Sequence, residues 1–277
     1  MSEPVLYIVA TPIGNLADLS ARAQEVLGSV DYIAAEDTRH SGRLLAHFTI
    51  KATMISVHDH NERQRSEHII NLLAAGNSVA LISDAGTPLI SDPGFHLVRA
   101  VREAGFRVSP VPGCCAVIAA LSASGLPSDR FQFIGFLPPK SGARLQALQP
   151  YVAHTETLIF YESTHRIVDS LSAMAEVFGG DRYAVIAREL TKTFETIHGD
   201  TLTNLLDWIQ ADANQQRGEF VVLVHGAPAV ELGEQVDPEA ERIVRILAKE
   251  LPPKKAAGLA AEITGEKKNR LYQLLID

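Results

Sequence analysis

Residues 81–95 read LISDAGTPLISDPGF, and this stretch decides how the first part of the chain is built. The apolar, β-branched run at 79–82 enters it and predicts a strand. A loop of glycine, proline and small polar residues follows. In Asp92-Pro93-Gly94, Asp92 suits a helix N-cap and Pro93 suits the first helical position. The helix is predicted to run to about Ala104, which makes the stretch one strand–loop–helix unit.

The same alternation extends on both sides of this stretch. Its predicted strands are 5–9, 32–35, 79–82 and 107–111, and its predicted helices include 19–27 and 116–124. Strands that alternate with helices indicate a mostly parallel sheet covered on both faces.

The pattern breaks near residues 124–128, where we place a domain boundary. Beyond it lie predicted strands at 131–134, 157–161, 183–187 and 219–224, some of them separated by helical stretches. After Pro228 the composition becomes that of a helical tail. The predicted fold is therefore α/β, with an N-terminal α/β domain at 1–124, a second α/β domain at 125–228 and a helical extension at 229–277.

Composition excludes several classes of protein. The 277 residues are 46% hydrophobic and 21% charged, as in an ordinary globular protein. The start has no basic, apolar signal peptide, and no apolar run reaches the roughly 18 residues of a membrane helix. Adjacent Cys114 and Cys115 suggest packing residues in a reducing compartment, so we expect a cytoplasmic protein without a membrane partner. The net charge of −8 argues against a uniformly basic protein but not against a local nucleic-acid patch.

The loop at 83–94 predicts the chemistry of its ligand. A phosphate-binding loop usually carries a lysine, whereas this one carries Asp84, which would repel a phosphate. Carboxylates and glycine amides together suit a cationic or zwitterionic nucleoside. The alternative is that Asp84 only caps a turn. Loops at 10–15, 36–39 and 112–116 also follow predicted strands, and in open α/β sheets such loops share one ligand crevice.

Several motifs resemble the tetrapyrrole methylase superfamily. They are TPIGNLADLS at 11–20, AEDTRHS at 35–41, SDAGTPLISDPG at 83–94 and VPGCCA at 111–116. GFLPPKSGAR at 135–144, FYESTHR at 160–166 and ARELTKTFE at 187–195 are similar to its branch that acts on ribosomal RNA. The resemblance covers nearly the whole chain. It implies S-adenosylmethionine-dependent 2′-O-ribose methylation of a cytidine in the decoding region of small-subunit RNA. It also implies a cofactor cleft between two α/β domains, usually in a homodimer, and no metal.

The resemblance also implies cofactor-binding positions. Carried over residue by residue, they are Pro12, Ala85, Gly86, Thr87, Ile90, Cys115 and Ala116. This sequence has Thr87 where the relatives have aspartate, and Asp84 lies three residues earlier. We expect Asp84 to take the charged role.

A ribose hydroxyl needs a nearby base before it can attack a methyl group. The candidate catalytic residues are Glu36, Glu162, His165 and Lys192. The alternative for the turn at 163–166 is that Ser163 caps a helix and the side chains that follow are solvated. His58 and His60, two residues apart beside acids, could form a metal site, although structural or RNA contacts suit them better.

The candidate substrate-binding residues are cations. They are Arg39, Lys140, Arg144, Arg166 and Arg188, and RNA phosphates are bound mainly by such side chains and by backbone amides. The alternatives are solvated surface charge for Lys140 and Arg144 and an ordinary ion pair for Arg188. The tail resembles a helix-turn-helix and either binds RNA or packs. Two rival functions stay open: a tetrapyrrole C-methyltransferase, and a non-enzymatic ribosome-binding factor.

Overall fold

The computed structural model describes residues 4–58, 61–228 and 236–276. The chain divides into two compact units, Met1–Ala227 and Pro228–Asp277.

The first sheet of the larger unit is parallel throughout its described strands. These are β1 Val5–Val9, β2 Tyr32–Ala35, β3 Thr53–Ser56, β4 Val79–Ile82 and β5 Arg107–Val111, in the order β3-β2-β4-β1-β5. The helices that follow them are α1 Ala21–Ser29, α2 Thr38–His47, α3 Glu62–Ala74, α4 Phe95–Glu103 and α5 Ala116–Ser124. Apolar clusters cover both faces, so the parallel, doubly covered sheet is confirmed and its strands end at one edge.

The helix after β4 begins later than predicted. It starts at Phe95, and its N-cap is Gly94 rather than Asp92. Gly94 has a φ of 129°, a conformation that favours glycine, and it packs closely against Leu81 and Leu89. The carboxylate that caps this helix comes from another element, because the buried Oε1 of Glu62 accepts a hydrogen bond from the Leu97 amide at 2.9 Å.

The second sheet is mixed. Its strands are β6 Phe131–Phe136, β7 Thr157–Ser163, β8 Tyr183–Arg188, β9 Thr196–Thr201 and β10 Glu219–Val224, in the order β6-β7-β10-β8-β9. Only the β6–β7 pair is parallel among these described strands. The other helices of this part are α6 Ser141–Leu148, α7 Ile167–Phe178 and α8 Leu202–Ala211. β7 continues through Ser163, and the N-cap of α7 is Arg166, so Ser163 is not a helix cap.

Helix α5 links the two sheets of the larger unit. It follows β5 of the first sheet, but its apolar side packs on β8 and β10 of the second. The first turn of α5 therefore lies where the carboxyl edge of the first sheet meets the second sheet. On the other face of the second sheet, the Trp208 ring of α8 lies 4.5 Å from the His198 ring of β9, measured between centroids.

The smaller unit is helical. Its helices α9 Pro238–Leu247, α10 Pro253–Thr264 and α11 Lys268–Gln273 bury a small apolar cluster that includes Val244, Ala257 and Leu271. Within the described ranges of both units, no helix has the length and apolar character needed to cross a membrane.

Candidate active site

The larger unit contains a cavity of about 640 Å³, which we call the main cavity. One wall comes from loops after strands of the first sheet and from α5: Ile13, Ala85, Gly86, Thr87, Ile90, Ser91, Asp92, Cys115 and Ala116. The other wall comes from the second sheet and its loops and includes Phe136, Tyr161, Glu162, His165, Glu189 and Lys192. Strand-end loops from separate parts of the chain thus form one site, as the order of strands and loops predicts.

Backbone hydrogen bonds hold the loops of the first wall together. The Thr11 amide donates to the Gly86 carbonyl at 2.8 Å, and the Gly86 amide donates to the Thr11 carbonyl at 3.0 Å. The Thr87 hydroxyl donates to the Cys114 carbonyl at 2.9 Å. Gly86 has a φ of 84°, which explains the glycine at this crossing. The loops after β1, β4 and β5 therefore form a fixed frame.

Most of the positions expected to bind the cofactor face the main cavity. Those that line it are Ala85, Gly86, Thr87, Ile90, Cys115 and Ala116. Pro12 and Asp84 do not line it. Pro12 is buried beside Ile13, and Asp84 accepts a hydrogen bond from the Asp37 amide at 3.3 Å.

Within the loop at 83–94, which we call the central loop, Asp92 is the acid that lines the main cavity. The pKa of the Asp92 carboxyl is raised above its ordinary value, mainly because the group is partly buried. A hydrogen bond from Ser83 lowers this pKa, and the nearby charge of Asp84 raises it further. Sequence reasoning assigned Asp92 to a helix cap and so missed it. The signal that could have identified it is a second aspartate in the same glycine-rich loop.

Glu162 is the most unusual group of the second wall. Glu162 is only 3% exposed, and its Oε2 accepts a hydrogen bond from the Ser163 amide at 3.0 Å. The Nε of Arg166 lies 3.2 Å from the same oxygen. Oε1 is buried and has no hydrogen-bond partner among the described residues. A buried acceptor without a partner is costly, so this oxygen is suited to a ligand donor.

Arg166 has a position fixed by several groups. Besides Glu162, its guanidinium donates to the Leu137 carbonyl at 3.1 Å and lies 5.7 Å from the centroid of the Phe136 ring. Phe136 is 53% exposed and lines the main cavity beside Tyr161. Arg166 therefore orients Glu162 and supports an aromatic ring at the cavity wall.

Lys192 is paired with two carboxylates. Its ammonium lies 2.8 Å from Glu189 and 2.9 Å from Glu219. Burial alone lowers the pKa of Lys192, but the hydrogen bonds to these acids outweigh burial and raise it overall. The stem of Lys192 packs over Gly14, where a Cβ would lie 2.5 Å from Cγ. Lys192 is thus protonated at neutral pH and is unsuited to act as a base.

Several expected catalytic or substrate residues lie outside the main cavity, among them Glu36, Arg39 and Lys140. Glu36 and Arg39 flank the start of α2, and neither lines the cavity. Arg39 is exposed and pairs with Asp37 at 3.5 Å. Lys140 is likewise exposed, at the N-cap of α6. Arg39 and Lys140 therefore face solvent.

Arg144 and Arg188 do not have the exposed, phosphate-facing positions that the sequence suggested. Arg144 is 2% exposed, donates to the carbonyls of Pro138 and Pro139, and lies 3.6 Å from Asp169. Arg188 is 7% exposed, and its guanidinium donates to backbone carbonyls of neighbouring loops. The reason is the same for both: each guanidinium satisfies loop carbonyls that would otherwise lack donors.

The histidine pair expected as a possible metal site is described only in part. His58 lies 3.0 Å from the Asn61 side-chain amide, and His60 is outside the described residues. Within residues 4–58, 61–228 and 236–276, no group of three or more His, Cys, Asp or Glu side chains could hold a metal ion.

Two family models match the chain. Residues 5–206 match the model described as Tetrapyrrole (Corrin/Porphyrin) Methylases. Residues 234–277 match the model of the RsmI C-terminal HTH domain.

Curated relatives match over almost the entire length. A protein of Haemophilus influenzae named ribosomal RNA small subunit methyltransferase I is 56% identical over 97% of this chain and 95% of its own. The protein of the same name from Pseudomonas aeruginosa is 59% identical over 99% of this chain and 97% of its own.

Solved structures show the same fold at low identity. Uroporphyrin-III-C-methyltransferase from Thermus thermophilus is 20% identical, with a TM-score of 0.54 over 80% of this chain and 94% of its own. The methyltransferase CobJ is also 20% identical, with a TM-score of 0.59 over 86% of this chain and 98% of its own.

Proposed function

The chain belongs to the tetrapyrrole methylase family and, within it, to the ribosomal RNA small subunit methyltransferase I proteins; from this we propose that it methylates small-subunit ribosomal RNA with S-adenosylmethionine. The acceptor we propose is the 2′-hydroxyl of a cytidine in the decoding region. The observation that carries the proposal is Glu162, a residue that lines the main cavity and whose buried Oε1 has no hydrogen-bond partner among the described residues, because such an acceptor suits a substrate hydroxyl.

The main cavity fits this cofactor by the charge of the residues that line it. S-adenosylmethionine, when bound, supplies a methyl group from a cationic sulfonium. Asp92, Glu162 and Glu189 line the cavity, and a cationic ligand is favoured beside carboxylates. We assign Asp92, in place of Asp84, to the charged contact with the cofactor. Ala85, Gly86 and Thr87 offer backbone groups at the cavity wall, and Cys115 and Ala116 offer small side chains.

Glu162 is the base that we propose for the acceptor hydroxyl. Arg166 and the Ser163 amide bind Oε2 and so fix the orientation of the carboxyl group, including its Oε1. Oε1 of Glu162 would accept the hydrogen bond and then the proton of the acceptor hydroxyl as the ribose oxygen bonds to the methyl carbon in line. The bond between that carbon and the sulfonium sulfur would break in the same step, and the cofactor would leave as a neutral thioether. Lys192, held by Glu189 and Glu219, balances the charge of these acids rather than accepting a proton.

Two finer points concern assembly and location. We propose a homodimer in the cytoplasm, as the resemblance to the family implies. Sedimentation of the purified protein should give twice the mass of one chain. A single-chain mass at micromolar concentration would refute the dimer.

The function is tested with labelled S-adenosylmethionine and small ribosomal subunits from a strain that lacks the gene. We expect the label on a ribose of the subunit RNA, resistant to alkaline cleavage at that position. Glu162→Gln should reduce kcat by about 100-fold or more, the usual contribution of a positioned base, while calorimetric affinity for the cofactor stays within about twofold. Transfer of the label to a uroporphyrinogen-type acceptor would instead support a tetrapyrrole C-methyltransferase. Binding to subunits without binding of the cofactor would support a non-enzymatic ribosome-binding factor.

A further inference from the structure

A second cavity of about 360 Å³ adjoins the main cavity. Thr164 and His165 line both cavities, so a single turn forms the wall between them. The other residues around the second cavity are Val168, Ala213, Gln216 and Arg217. A ligand that extends out of the main cavity past His165 would enter this space.

The two cavities differ in charge. The main cavity is lined by several acids, including Asp92, Glu162 and Glu189. Among the described residues that line the second cavity, none is acidic, and Arg217 and His165 supply nitrogen donors. The side-chain amide of Gln216 is already used, since it donates to the Ile209 carbonyl at 3.0 Å. The second cavity therefore suits an anion with Arg217 as its main contact.

The turn that carries Arg217 is fixed from inside the protein. The buried guanidinium of Arg188 donates to the Asn214 carbonyl at 3.3 Å and to the Arg217 carbonyl at 3.0 Å. The next residue, Gly218, donates its amide to the Thr164 hydroxyl at 2.9 Å. Because the turn is already ordered, little backbone freedom is lost when Arg217 binds a ligand.

We propose that the second cavity binds an RNA phosphodiester next to the acceptor nucleotide while that nucleotide occupies the main cavity. The inference rests on the proposed function and adds a binding site to it. Enzymes that modify a nucleotide within folded RNA take it out of its stack, which carries the flanking phosphates to the mouth of the active site. An arginine guanidinium matches the geometry of phosphate oxygens, and backbone phosphates are the groups that position a strand.

The test measures how tightly Arg217→Ala binds unmodified small subunits over a series of salt concentrations. We expect affinity to fall about five- to tenfold and the slope of log affinity against log salt to decrease by about 0.7–1, the value for one lost phosphate contact. Arg217→Lys keeps the charge and should retain most of the slope. Calorimetric affinity for S-adenosylmethionine should be the same in all variants, since Arg217 does not line the main cavity.

Arg102→Ala is the matched control. Arg102 is exposed in the last turn of α4, and α4 starts beside the central loop and runs away from it, so its loss should leave the salt slope unchanged. An unchanged slope for Arg217→Ala, or an equal decrease in the control, would overturn the inference. If inorganic phosphate competes with subunits through Arg217 but the RNA slope does not change, the cavity binds free phosphate and the RNA assignment fails. This test measures binding and not turnover. If the protein does not methylate subunits, the proposed function is rejected, but the salt slope of Arg217→Ala still tests the phosphate site.

Discussion

At the scale of single residues, Asp84 and Asp92 show why position within a loop decides a role. Both belong to the central loop, yet the Asp84 carboxylate turns to the Asp37 amide, whereas Asp92 faces the main cavity. The two residues lie close enough for Asp84 to raise the pKa of Asp92. Of these two acids, only Asp92 therefore places its carboxyl group at the cavity wall.

Asp92→Asn should weaken S-adenosylmethionine binding by about 10- to 100-fold, because a hydrogen bond to a charged group is lost. Calorimetry at pH 7 measures the change. In the wild-type protein, affinity should start to fall on acidification at a pH above the ordinary aspartate pKa of 3.8, since the pKa of Asp92 is raised. The variant should lack this dependence. A larger loss in Asp84→Asn than in Asp92→Asn would reverse the assignment of the two acids.

The same substitution should stabilise the protein without ligand. A carboxyl whose pKa is raised by folding holds its proton more tightly in the folded state, so it lowers stability once the pH exceeds that raised pKa. Asp92→Asn should therefore melt at a higher temperature than wild type at pH 7. The difference should shrink as the pH falls below the raised pKa and vanish below 3.8, where the proton is bound in both states. A lower melting temperature for the variant at pH 7 would contradict this account.

At the scale of elements, α3 controls where α4 begins. Glu62 opens α3 and is buried, and its carboxylate caps the amino end of α4 through the Leu97 amide. The central loop ends at Gly94, directly before that helix. The position of the loop in the site thus depends on a carboxylate from a neighbouring helix.

Glu62→Ala should lower the free energy of unfolding by about 1–3 kcal/mol, because a cap is lost and a buried amide loses its acceptor. Urea denaturation measures the change. Glu67→Ala, an exposed position on the same helix, is the control and should change stability by less than about 0.5 kcal/mol. Equal stability of the two variants would mean that the cap contributes nothing.

The strands that were predicted best are those with a mainly apolar sequence. β1, β2, β4, β5 and β10 have the predicted ranges, and all of them except β5 are short, mainly apolar runs. β9, with the sequence TIHGDT, was missed because only its pairing with β8 makes it a strand. Of the four loops predicted to share the site, those at 10–15, 83–94 and 112–116 contribute residues to the main cavity, and the loop at 36–39 does not. The burial of Arg144 and Arg188 depends on distant carbonyls that no local pattern displays.

At the scale of the whole molecule, charge favours a structured substrate over a free strand. The chain carries a net charge of −8, so long-range attraction to bare RNA is weak. Its exposed cations occur in separate places, among them Lys140 before α6 and Arg217 at the second cavity. Separated contacts recognise the shape of a folded target better than a short segment.

Methylation of assembled small subunits should therefore exceed that of protein-free RNA by at least about tenfold in kcat/KM, and a short oligonucleotide around the acceptor should be poorer still. Single-turnover assays at one salt concentration allow the comparison. Equal turnover on all three substrates would show that the separated cations play no part in recognition.

The ring contact between Trp208 and His198 has a spectroscopic consequence. Trp208 is the sole tryptophan of the sequence and lies in α8 against β9, at the edge of the second sheet. Its fluorescence is therefore an intrinsic reporter of the second sheet, whereas circular dichroism averages over every element of the chain. Denaturation curves recorded by both methods can be overlaid, and their separation or coincidence tells whether the two sheets of the larger unit unfold in one cooperative step.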